Sequence, residues 1–105
     1  MDKLIKIVKE INLPNAYHHF AEGESPNPPF LIYLIYGSDN FSADGKVYKK
    51  INIVHLELYT DKKDIKVEKK IEVVLDKYDI FYEKLETYIE KEKLYEVLYS
   101  FEMED

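Results

Sequence analysis

Apolar and polar positions change period several times along this chain, and each change marks a new element. In residues 2–11, Leu4, Ile5, Val8 and Ile11 fall on one side of a helical wheel, and Asp2, Lys3, Lys6, Lys9 and Glu10 on the other. That spacing predicts an amphipathic helix, which Pro14 stops. A short strand over 17–20 is expected next, then a loop over 22–29 marked by Gly23, Ser25, Asn27 and three prolines. From Phe30 to Tyr36 every position is apolar, the pattern of a strand covered on both faces or lying at a subunit contact. Gly37 to Lys46 is polar and carries the turn pair Asp44-Gly45. With few apolar anchors, the segment of about 37–48 is expected to be mobile in the free protein and to order on assembly.

The second half is more regular. Ile51 to Tyr59 alternates, with Val54, Leu56 and Leu58 pointing one way and His55, Glu57 and Tyr59 the other. Thr60 or Asp61 is placed to cap a helix running to about Tyr78, and Asp64 in its first turn complements the helix dipole. Val67, Ile71, Val74, Leu75 and Tyr78 form its buried stripe. Two strands follow, over 80–89 and 94–103, separated by the turn Glu90-Lys91-Glu92-Lys93. In the second, Tyr95, Val97, Tyr99, Phe101 and Met103 share a face. This order predicts an α+β fold in one domain spanning 1–105: a mostly antiparallel sheet with two helices packed on one face.

Composition narrows the function. Hydrophobic residues make up 46% of the 105, enough for a modest core, and the 34% that are charged call for well-solvated helices. A formal net charge of −6 opposes sequence-specific or duplex nucleic-acid binding, which needs clustered Lys and Arg. The lysines at 62, 63, 66, 69 and 70 interleave with Asp61, Asp64, Glu68 and Glu72, so they read as a solvated face with i,i+4 pairs. The absence of cysteine excludes disulfides, thiolate chemistry and Cys-based zinc sites. Neither a leader peptide nor a membrane span is expected, and production and use in the cytoplasm follow from that reading.

Candidate chemistry is sparse. His18 and His19 are adjacent, and in a strand they point to opposite faces, so they are not expected to chelate one ion with His55. Glu57 stands between apolar neighbours on a strand and reads as a solvated or inter-subunit carboxylate. There is no nucleophile elbow, and three glycines supply no phosphate-cradling loop. No enzyme activity, metal or cofactor is expected. Ten tyrosines and five phenylalanines are the unusual quantity. Tyrosine combines apolar area with a polar tip, which suits either sheet packing or a protein–protein surface.

Several segments carry a resemblance. They are Leu13-Pro14 with Tyr17 and Phe20, Pro28-Pro29-Phe30 with Tyr33, Phe41-x-Ala43-Asp44, and Glu57-Leu58-Tyr59-Thr60-x-Lys62-Lys63-Asp64. The strand from Tyr82 to Glu90 and Leu94-Tyr95-Glu96-Val97-x-Tyr99 complete the pattern. In order and spacing, over about residues 13–101, they resemble the tail-completion proteins (tail-to-head joining and tail-terminator proteins) of siphophages and prophages of Gram-positive bacteria. The resemblance implies a small α/β protein in the neck of the virion. It would form a ring, usually a hexamer, around the DNA channel at the head-proximal end of the tail. Its partners would be other tail and head-connector proteins, with no catalytic site and no cofactor. Phe41, Asp44, Tyr59, Tyr82, Tyr88, Tyr95 and Tyr99 are the residues expected to make contacts. Two rivals remain: a bacterial adaptor that binds one protein partner through the aromatic sheet, and a small hydrolase or ligand-binding domain using Glu57, His55 or the His18-His19 pair.

Overall fold

The computed structural model describes residues 1–43 and 45–104, with backbone alone for Phe41, Ser42, Ala43, Val47 and Tyr48. Helix α1 (Asp2–Ile11) buries Leu4, Ile7, Val8 and Ile11, so Ile7 takes the core place that the sequence pattern gave to Ile5. It ends on Asn12, whose left-handed backbone (φ 58°) returns its N–H to the Val8 carbonyl. Strand β1 (Asn15–Tyr17) comes two residues earlier than expected, and strand β2 (Phe30–Ser38) runs parallel to it. Strands β3 (Phe41–Ala43) and β4 (Lys46–Lys49) form a separate antiparallel hairpin. The segment expected as a loop is therefore largely a hairpin with Gly45 at φ +73° in its turn, and the mobility expected of it also bears on Asp44, outside the described residues. Strand β5 (Ile51–Thr60), helix α2 (Ile65–Lys77), strand β6 (Tyr82–Ile89) and strand β7 (Leu94–Glu104) complete the chain.

The main sheet has the order β1-β2-β5-β7-β6, antiparallel except at β1–β2. Alternation decides its two faces. Leu31, Val54, Leu56, Leu58, Val97, Tyr99 and Phe101 point to one side, where α1 and α2 close the core over them. The fold is thus the expected α+β arrangement. Asp64, rather than Thr60 or Asp61, caps α2: its carboxylate accepts from the Val67 N–H at 3.2 Å. Thr60 is instead the buried last residue of β5.

Lys62, Lys63, Lys66, Lys69 and Lys70 are exposed as expected of a solvated face, but the ion pair Lys63 makes with Glu86 runs across the fold and not along the helix at i,i+4. Glu68, with its side chain only 4% exposed, accepts from Lys63 at 2.7 Å and from Lys84 of β6 at 2.8 Å. Lys84 also reaches Glu72 at 2.7 Å, and Lys63 also binds Glu86 of β6. Between the helices, Glu10 accepts from Lys77 at 3.1 Å and from the Tyr78 hydroxyl at 2.7 Å. Glu68, this close to the core, is tolerated because it is matched to donors.

Candidate functional site on the open sheet face

Among the described residues no helix covers the second face of the sheet. Cross-strand register places Phe30, Tyr59, Glu96 and Thr87 in one row across it, Ile32, Glu57, Leu98 and Leu85 in the next, and Leu34, His55, Ser100 and Glu83 in a third. Phe30 and Ile32 are nevertheless buried, at 8% and 5% exposure. The segment after β1 folds back over them, with Phe20 edge-on to Phe30 at 5.4 Å between ring centroids. Phe30 in turn stacks on Tyr59 at 5.1 Å.

That fold-back makes a cavity of about 350 Å³ between residues 18–25 on one side and the β6–β7 turn on the other. Glu57 and Tyr59 face it from β5, and Glu92 and Leu94 from the turn and β7. His18 and His19 form part of its wall. Because His18 adopts a left-handed backbone (φ 68°), the two rings converge, with their Nδ1 atoms 3.0 Å apart. The expectation that they point to opposite faces fails, since the strand ends at Tyr17 and they lie beyond it. No group of three His, Cys, Asp or Glu placed to hold a metal occurs among the described residues.

Glu57 and Tyr59 in the cavity wall are joined to Glu96, which lies outside the lining. The Tyr59 hydroxyl lies 2.7 Å from Glu96 Oε2 and 3.0 Å from Glu57 Oε1. Burial pushes the Glu57 carboxyl above the usual carboxylate range, and the Glu96 charge adds to the rise; the Tyr59 bond and the nearby His55 and His18 oppose it. Burial, together with the Glu96 carboxylate, also raises the Tyr59 phenol. Glu68 and Glu72 behave oppositely. Burial alone would raise them, but the bonds from Lys63 and Lys84 to Glu68, and from Lys84 and Tyr99 to Glu72, hold both below the usual range.

The expected contact residues divide sharply. Tyr99 is a correction: it is fully buried under α2, donates to Glu72 at 2.7 Å, and presents nothing to a partner. Tyr82 packs edge-on against it at 5.3 Å and is half-buried. Tyr59 is a wall of the cavity. Tyr88 is 47% exposed and lies 4.9 Å from Tyr95 at the end of β6. The Phe41 side chain and Asp44 fall outside the described residues. Sequence reasoning missed the grouping of Phe20, Phe30, Tyr59 and Glu57, which only the fold-back of the proline-rich loop creates. It also missed Phe81 and Leu85, which are 88% and 63% exposed beside and on the outer strand β6. A broader groove of about 800 Å³ opens next to Phe81, lined also by Lys3, Tyr78 and Met103. No family model matches the chain, and no curated protein is significantly similar to it.

Proposed function

We propose that this protein is a structural virion component of a phage or prophage, completing the tail and joining it to the head connector, as a ring around the DNA channel. The observation that carries the reading is the β6 edge. Among the described residues only β7 neighbours this eight-residue strand in the sheet, and it carries Leu85 and Tyr88 exposed, with Phe81 just before it. A free edge of that length is a template for strand addition between copies. The opposite edge, β1, is three residues long and parallel, so a contact between unlike edges is head-to-tail and closes into a ring under a suitable rotation. The resemblance over 13–101 supports a place in the neck of the virion. A net charge of −6 suits a channel through which DNA passes without adhering.

The test is electron microscopy of particles from a host whose prophage lacks this gene. Full heads beside separate tails support the reading, with tails of normal length indicating joining and overlong tubes indicating termination. Infectious virions of normal form overturn it. The cavity over Glu57 favours a second reading, a partner-binding adaptor without catalysis. Under that reading the deletion leaves particles unchanged.

A further inference from the structure

We infer that the free chain pairs with a second copy of itself through β6, the two strands running antiparallel about a two-fold axis at Leu85. The inference concerns the isolated protein and does not rest on a place in the virion. Its first ground is the edge itself. Among the described residues only β7 pairs with β6, and residues 83–88 are all exposed. An outer strand of this length offers its unpaired N–H and C=O groups to another strand.

The second ground is the strand read against itself. A two-fold axis normal to the sheet keeps each face on its own side, so odd-numbered residues oppose odd and even oppose even. Centring the axis on Glu83, Lys84 or Glu86 sets like charges directly opposite, which is unfavourable. Centring it on Thr87 leaves only residues 85–89 of β6 in opposition, and a centre nearer either end leaves fewer. Centring it on Leu85 opposes residues 82–88 with no like-charge pair. Lys84 of each copy then meets Glu86 of the other, Tyr82 meets Tyr88, Glu83 meets Thr87, and Leu85 meets its own counterpart. This complementarity selects a second copy as the occupant and fixes its register.

The third ground is what the pairing covers. Leu85, 63% exposed, stands beside Leu98 of β7, and the pairing brings two such leucine pairs together on the open face. On the helix-covered side, Tyr88 lies 4.9 Å from Tyr95, and the partner's Tyr82 continues that aromatic row. Lys84 already faces Glu68 and Glu72, and Glu86 already faces Lys63. The joint therefore extends an existing ion-pair network and buries no lone charge. It also occupies the edge that ring closure would use, so the dimer must open before a ring forms.

Sedimentation of the wild-type chain at concentrations up to about 1 mM tests the association, with a Kd on the order of 100 µM expected for a small interface. Register is read by cross-linking, since the chain has no native cysteine. In the inferred pairing the two Leu85 Cα atoms lie about 4.5–5.5 Å apart, within reach of a disulfide. Leu85→Cys, oxidised with diamide, is expected to link to itself. Glu83→Cys alone and Thr87→Cys alone are expected to stay unlinked, because like positions then lie about 13 Å apart, while an equimolar mixture of the two links. Glu86→Lys, which sets lysines opposite Lys84 twice over, is expected to weaken association at least ~10-fold. A wild-type chain that stays monomeric at about 1 mM would overturn the inference. So would a dimer in which Leu85→Cys fails to link, or one in which Glu83→Cys links to itself as readily. The wild-type measurement needs no variant, and neither arm depends on the chain's place in a particle.

Discussion

Glu68 of α2 and Lys84 of β6 meet at 2.8 Å across the gap between helix and sheet, with Lys63 closing on the same carboxylate at 2.7 Å. This contact ties the outermost strand to the helical layer. It also turns Lys84 inward, a device that discourages indiscriminate pairing at a free edge. Glu68→Gln keeps the shape and removes the charge that both lysines face. It is expected to cost about 1–3 kcal/mol in urea unfolding, since charged hydrogen bonds are lost while both lysines keep partial access to water. The folded Glu68 and Glu72 carboxyls lie below their ordinary value. Their contribution is therefore present at neutral pH and is lost as pH falls through the depressed folded values. Unchanged stability of Glu68→Gln at pH 7 would remove this contact from the account.

Glu57 has the opposite sign. Its folded carboxyl is raised, so between the ordinary value and the raised one the folded state holds more protons than the unfolded, and stability falls as pH rises. The groups that face it are Tyr59 and His55 on β5, Glu96 on β7 and His18 beyond β1. Glu57→Gln is expected to raise the melting temperature at pH 7, by a few degrees at most on a scale of about 4–8 °C per kcal/mol. That advantage disappears below the ordinary glutamate range. A variant less stable than wild type at pH 7 would contradict this sign.

Asp64→Ala removes the side-chain acceptor for the Val67 N–H and is expected to cost about 1 kcal/mol. Asp61→Ala, at the position first suggested by sequence, is expected to fall within about 0.5 kcal/mol of wild type. Denaturant melts of the two variants separate the assignments.

The period of the apolar residues was enough to read both helices, the main strands and the helix-covered face. Val54, Leu56 and Leu58 alternate cleanly because one side of β5 is core and the other is not. What local pattern could not reach were contacts set by the tertiary path. Asp64, not Thr60, is the cap because β5 extends one residue further than its alternation indicated. Tyr99 was expected to make contacts with a partner, yet it lies opposite Leu56 beneath α2, on the face it shares with Val97 and Phe101. The cavity depends on a loop folding over Phe30, and loop composition specifies that it turns without specifying where it lands. Glu57 was marked by its apolar neighbours, but Glu96, joined to it through the Tyr59 hydroxyl, lies 39 residues away on an adjoining strand.

The β6 edge gives a direct test of assembly. Leu85→Lys combined with Tyr88→Lys places charge on the exposed positions of that strand while leaving the core intact. Urea stability is expected to stay within about 0.5 kcal/mol per substitution. Complementation of a gene deletion by this variant is expected to lower the yield of infectious particles at least ~10-fold, since a single lost interface of 1.4 kcal/mol already changes association tenfold. Full complementation would place the assembly contact elsewhere.

The central claim is a position in the virion, and immunogold electron microscopy of particles induced from the host reads it directly. With antibody against this chain, the account predicts gold at the junction of head and tail on intact particles, and at the head-proximal end of isolated tails. Particles without label, with the chain recovered only from the particle-free lysate, would contradict it.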